Sequence, residues 1–250
     1  MKSKLLKIYN NILDVIFPKN FKCIFCNSEI FNENPLATCE ECDKILPFIN
    51  GKYCLRCGCK INSMADYCIK CKDTVRFFDQ AKAPFEYDEP ISNTIKKFKT
   101  ANARYLAEPL ATYLTKTYYD SGWNIDKIMC VPMYPAVERK RGFNHAKLLA
   151  QTLSKMIDIP FDDNLQKIKN TAKQTEVDFI GRQTNLQDAF KYSGDCVGKN
   201  VMVIDDVMTT GATMNTICFE LKRKGANKVY VLTVARTSEN RNKNKKNNNS

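Results

Sequence analysis

The sequence predicts an α/β domain with a mainly parallel sheet flanked by helices, preceded by a small cysteine-rich metal module. Three observations predict it. Short apolar runs at 128–131, 201–204 and 229–234 are separated by stretches long enough for helical crossovers. The middle run turns through a Thr/Gly cluster directly into a helical pattern. Four Cys-x-x-Cys pairs crowd the N-terminal third of the chain.

At 250 residues the chain is long enough to bury one good core and carry a smaller module. Its formal charge is +12. Eight zinc-bound thiolates would bring that down to roughly +8, of which the Lys/Asn-rich tail at 240–250 supplies about half. A basic surface suits nucleic acid and a phosphate-rich small ligand alike. Leu5, Tyr9, Ile12 and Ile16 recur at helical spacing, so an amphipathic helix is expected over 1–20, closed by Pro18. Its apolar residues are interrupted throughout, so it is neither a signal sequence nor a membrane span; docking on its own domain is the expectation.

Twelve cysteines without a secretory signal point to metal before disulfides. Cys23 and Cys26, Cys39 and Cys42, Cys54 and Cys57, and Cys68 and Cys71 each leave two residues between sulfurs. That spacing lets one tight knuckle aim two thiolates at one ion, and two knuckles complete a tetrahedral site. Two structural Zn²⁺ ions are therefore expected within 21–75, with no open position for substrate. Neighbouring pairs are the favoured partners, a cross-braced arrangement is the alternative, and Cys59 is left as a spare thiol.

The second domain is expected over 76–239, before a disordered tail at 240–250. An aromatic strand over 77–87 enters it, and helices follow over 91–98 and 104–119, the latter with Leu106, Leu110, Tyr113 and Leu114 on one face. The strand near 128–132 ends at Pro132-Met133-Tyr134-Pro135, and in a parallel sheet such a loop opens to the same crevice as the loop after Ile204. Arg139, Lys140 and Arg141 come next, with Arg139 and Arg141 the better anion partners because a guanidinium is bidentate. His145 is the only histidine; a general base, a ribose contact and a helix-surface residue are its alternatives. A strand near 165–168 leads into a polar excursion carrying Thr171, Gln174, Arg182 and Asn185, residues placed to close over a bound ligand.

The stretch 201–213 organises the rest. A buried strand that turns into a helix points free N–H groups and the positive end of the helix dipole at one spot, which suits a phosphate. Asp205 and Asp206 precede that spot and are placed to accept hydrogen bonds from sugar hydroxyls. Acids for a ribose and a hydroxyl-lined loop for a phosphate describe one ligand, a ribose 5-phosphate.

This stretch resembles the binding signature of type I phosphoribosyltransferases, whose donor is phosphoribosyl pyrophosphate (PRPP). The resemblance implies that Asp205 and Asp206 hold the ribose hydroxyls and that Thr209, Thr210, Gly211, Ala212 and Thr213 hold the 5-phosphate. It also places Pro132, Met133 and Tyr134 against the pyrophosphate. With the four cysteine pairs, Arg-Gly-Phe-Asn at 141–144, Thr171, Gln174, Arg182 and Asn185, nearly the whole chain is similar to the competence protein F (ComF) family. Two departures stand out: His145 replaces a usual glutamine, and 98–104 lacks a usual glycine. The resemblance implies a cytoplasmic protein that binds PRPP with Mg²⁺ and transfers a phosphoribosyl group to an unassigned acceptor, with Asp205, Asp206, Arg139 and Arg141 as its catalytic set. It also implies a link to DNA uptake in natural transformation. The alternative is an adaptor whose zinc ribbon contacts single-stranded DNA or an uptake protein, the sugar-phosphate pocket serving regulation.

Overall fold

The computed structural model describes residues 21–30, 34–169 and 189–238. The helix expected over 1–20 and the tail at 240–250 lie outside the described residues. By packing, the chain divides into two compact units, 1–45 and 46–250.

In the first unit, Cys23 and Cys26 sit on a knuckle closed by a hydrogen bond from the Asn27 amide to the Cys23 carbonyl at 2.9 Å. Asn27 adopts φ +67°, a conformation asparagine tolerates better than most residues. Cys39 precedes helix α1 (Glu40–Ile45), which carries Cys42 on its buried side.

The second unit repeats the device. The Gly58 amide closes the Cys54–Cys57 knuckle on the Cys54 carbonyl at 2.9 Å. Gly58 has φ +68°, and a Cβ there would meet the Ala81 carbonyl oxygen at 2.5 Å, so this turn requires glycine. Helix α2 (Ile69–Asp73) carries Cys71. The aromatic stretch then forms two short strands, β1 (Gln80–Lys82) and β2 (Phe85–Glu86). Helix α3 (Ile91–Phe98) follows as expected. The second expected helix is a 3₁₀ segment, Ala101–Leu106, continuing into α4 (Ala107–Tyr119).

Next come β3 (Lys127–Cys130), α5 (Pro135–Arg141) and α6 (His145–Ile157). Strands β4 (Leu165–Lys167) and β5 (Phe190–Tyr192) pair antiparallel and form the stem of the polar excursion. Strand β6 (Asn200–Met208), helix α7 (Ala212–Arg223) and strand β7 (Lys228–Arg236) complete the chain of elements.

The main sheet runs β1-β7-β6-β3, with β2 continuing β1 along β7, and every pairing is parallel. Both faces are covered, which is why the strands read as continuous apolar runs. Along β6, Val201 and Val203 share a core with Met214, Ile217 and Leu221 of α7. The alternate positions face α6, which packs on β6 and β3. One strand differs usefully from its sequence reading: β6 runs to Met208 rather than stopping at Ile204, because its ladder with β7 continues to Arg236. Asp205 and Asp206 therefore sit inside the strand, held by backbone pairing.

Candidate functional site

The eight cysteines form two clusters. The sulfurs of Cys23, Cys26, Cys39 and Cys42 lie within 4.8 Å of one another, as do those of Cys54, Cys57, Cys68 and Cys71. Neighbouring pairs thus share a site, and the cross-braced alternative drops out. Cys26 and Cys39 are 3.6 Å apart and Cys57 and Cys68 3.7 Å. Four sulfurs about 2.3 Å from a tetrahedral zinc stand about 3.8 Å apart, so the clusters fit two structural zinc sites. Amides of Cys42 and Cys57 approach Cys39 Sγ (3.4 Å) and Cys54 Sγ (3.5 Å), which stabilises charged sulfur. Cys59 is buried beside the second cluster.

Asp205 and Asp206 lie near the carboxyl end of the central part of the sheet. Asp206 is almost fully buried, and its Oδ2 stands 2.8 Å from Lys99 Nζ and 3.4 Å from His145 Nε2. His145 begins α6 and is itself buried, which corrects its helix-surface alternative. Its Nδ1 lies 3.2 Å from Arg141 Nη1. A guanidinium only donates, so Nδ1 accepts and Nε2 carries the proton toward Asp206.

This environment splits the acid pair. Burial, then the negative charge of Asp206, push the Asp205 carboxyl well above the usual carboxylate range. Burial also raises Asp206, but the contact with His145 and the Lys99 ammonium outweigh it and hold that carboxyl down at about 2. Nearby atoms of His145, Asp205 and Asp206 converge to within 4.8 Å. In the sequence Lys99 reads only as part of a lysine cluster with Lys96 and Lys97, a solvated face or an anion contact, and nothing marks it, or His145, as a partner of Asp206. Lys99 ends α3, His145 opens α6 and Asp206 lies in β6, so no local pattern joins them.

Beyond Met208, Thr209 and Thr210 are exposed and Gly211 is buried with φ +78°. It is this conformation that requires glycine, since the nearest atom to an added Cβ, Met208 Cε at 2.6 Å, ends a flexible side chain that can shift. The N–H groups of Thr209, Thr210 and Gly211 meet no acceptor among the described residues. They stand at the start of α7, so this turn presents free N–H groups at the positive end of a helix dipole.

The loop after β3 opens at the same sheet edge, since the Val131 amide bonds the Ile204 carbonyl at 3.0 Å. Pro132, Met133 and Tyr134 are half-buried and line a cavity of 530 Å³ with Arg139, Lys147 and Asp163. Asp205, Asp206 and the Thr loop are not part of its wall. Arg139 is on α5 at this cavity, whereas Arg141 is turned toward His145. Asn144, the last residue of the Arg-Gly-Phe-Asn motif, ties these parts together: Oδ1 caps α6 at the amides of Ala146 (3.0 Å) and Lys147 (3.2 Å), and Nδ2 donates to the Val131 carbonyl at 3.1 Å. Thr171, Gln174, Arg182 and Asn185 lie outside the described residues. Among the described residues no helix is long and apolar enough to cross a membrane.

Comparison with known proteins agrees with this architecture. The phosphoribosyl transferase domain family matches residues 103–249 and the double zinc ribbon domain family residues 12–77. Competence protein F of Haemophilus influenzae is 32% identical over 87% of this chain and 97% of its own length. DNA utilization protein YhgH of Escherichia coli K12 is 28% identical over 74% of this chain and 84% of its own. Competence protein ComFC of Streptococcus pneumoniae is 22% identical over 86% of this chain and all of its own length, 100%. With a double zinc ribbon, a parallel α/β domain and a near full-length relative above 30% identity, this chain belongs to the competence protein F family.

Proposed function

We propose that the chain binds PRPP, or a related ribose 5-phosphate, at the end of β6 and transfers or holds its phosphoribosyl group. One observation carries the reading: two strand-held acids lead without a gap into a loop whose free N–H groups stand at the start of a twelve-residue helix. Asp205 and Asp206 orient the ribose hydroxyls, and Thr209, Thr210, Gly211, Ala212 and Thr213 receive the 5-phosphate. Pro132, Met133 and Tyr134 border the pyrophosphate, and Arg139 offers it a cation. Arg141 acts at one remove, by fixing His145 against Asp206. Thr171, Gln174, Arg182 and Asn185 belong to the same reading as loop contacts.

Mg²⁺, when bound with the donor's pyrophosphate, would neutralise charge on that leaving group. Asp205, which makes no ion pair among the described residues, has the oxygen donors that suit such an ion; Lys99 already balances Asp206. The acceptor of the transfer, commonly a nitrogen nucleophile in such chemistry, is unassigned. A role in competence and DNA utilization is supported by the names of the relatives, competence proteins and a DNA utilization protein, and the same reading places the chain in the cytoplasm. The second reading, an adaptor that contacts single-stranded DNA or an uptake protein, draws on the same names and on the basic charge of +12.

The test is calorimetric titration of the zinc-loaded protein with PRPP and Mg²⁺, against ribose 5-phosphate as competitor. Magnesium-dependent binding is expected, and the Asp205→Asn/Asp206→Asn double variant should lose at least about tenfold in affinity, roughly one lost charge-assisted hydrogen bond, while keeping both zinc ions. Equal affinity in that variant would remove both acids from the site.

A further inference from the structure

The phosphate loop is held from behind by a residue that also touches the second cysteine cluster. Arg236, at the end of β7, is only 4% exposed. Its Nη1 donates to the carbonyls of Met208, at 2.8 Å, and of Thr209. Its Nε donates to the Cys57 carbonyl at 3.2 Å, and its Nη2 lies 3.6 Å from Cys57 Sγ. One guanidinium thus grips two loop carbonyls and one metal-ligating cysteine.

The grip has a geometric consequence. In a planar trans peptide the C=O and the following N–H point in opposite directions. Holding the Met208 and Thr209 carbonyls on the Arg236 side turns the amides of Thr209 and Thr210 to the other side, where a phosphate would sit. A second attachment comes from the other end of the cluster. Asn215, in the first turn of α7, accepts from the Phe77 amide at 2.8 Å and donates to the Val75 carbonyl at 3.1 Å, only a few residues beyond Cys71. Four thiolates around one Zn²⁺ leave a net charge of about −2, so the buried guanidinium is anchored by charge as well as by hydrogen bonds.

We infer that Arg236 is a positioning residue coupling the second zinc site to the phosphate loop, so that metal at one site and sugar phosphate at the other strengthen each other's binding. The inference rests on the ligand assignment proposed above and adds to it a linkage between two sites. Linkage is reciprocal, so it is readable from the zinc side.

The experiment uses the full, zinc-loaded chain and titrates zinc at equilibrium between the protein and a chromophoric chelator, with and without saturating ribose 5-phosphate. The expected result is that ligand tightens the binding of one of the two zinc equivalents by about 5- to 150-fold and leaves the other unchanged. Arg236→Lys, which keeps the charge but not the fork, should retain two zinc ions and lose that tightening. Asn215→Ala should lose part of it, and serves where Arg236→Lys fails to fold. Calorimetry on the wild type separates the two ideas. Ribose 5-phosphate that binds without changing either zinc affinity overturns the linkage alone. Ribose 5-phosphate and PRPP that both fail to bind overturn the ligand assignment, and the linkage with it. Tightening that persists in Arg236→Lys removes Arg236 from the role.

Discussion

At the scale of single residues, the adjacent acids of β6 show how one strand gives two carboxyls different chemistry. Asp206 keeps its charge because Lys99 and His145 stand on its oxygen, while Asp205 is desolvated beside that charge. A raised folded-state pKa means that the charged form of Asp205 costs stability. The cost is absent below the unfolded value of about 4 and grows as pH rises toward the folded value. Asp205→Asn keeps an oxygen to accept the Asp206 amide, now 2.9 Å from Asp205 Oδ1, and removes the charge. The single variant should therefore melt with the wild type near pH 4 and be more stable by on the order of 1 kcal/mol at pH 7, while binding donor more weakly. Thermal melts across that range check it; a variant no more stable at pH 7 than at pH 4, relative to wild type, would show that the pair is not strained.

At the scale of elements, the loop after β3 and the start of α6 behave as one piece because Asn144 serves both. Asn144→Ala should cost about 1 kcal/mol in denaturant unfolding through loss of the cap. Asn144→Asp keeps the cap acceptor and gains from the helix dipole, but it loses the donor to the Val131 carbonyl. That variant should stay close to wild type in stability, and faster amide exchange should be confined to 131–134. Elements of this kind are largely legible in the sequence. Helix α3 matches its expected span, and α7 begins at the Thr/Gly turn, because apolar spacing, turns and caps are local signals. The partners that tune the site are not. Lys99, the Arg236 grip and the Asn215 clamp join positions far apart in the chain, and no local pattern encodes which distant side chain meets a buried carboxylate or carbonyl. His145 is legible as a residue and illegible as a contact for the same reason.

At the scale of the molecule, the second cysteine cluster shares the core of the α/β unit: Cys54, Cys57 and Cys68 pack in one cluster with Phe78, Val203 and Val231. A chain beginning at residue 46 should fold and bind one equivalent of zinc. One beginning at residue 76 should aggregate, since it loses the cover over Phe78 and the Cys57 contact of Arg236. Metal stoichiometry and size-exclusion profiles of the two would decide the matter. The strand order carries a further consequence, for biosynthesis. Strand β7 is interior to the sheet, flanked by β1 and β2 on one side and β6 on the other, yet it follows all of them in sequence. Two neighbours of the finished sheet have therefore left the ribosome with no strand between them, and the sheet closes only after β7 emerges. The cysteine pairs need no such wait, as the ligands of each cluster are close in the chain and are made together. The ligands of both clusters are thus complete before the sheet can close, and the knuckle carrying Cys57 is made before Arg236 arrives to meet it.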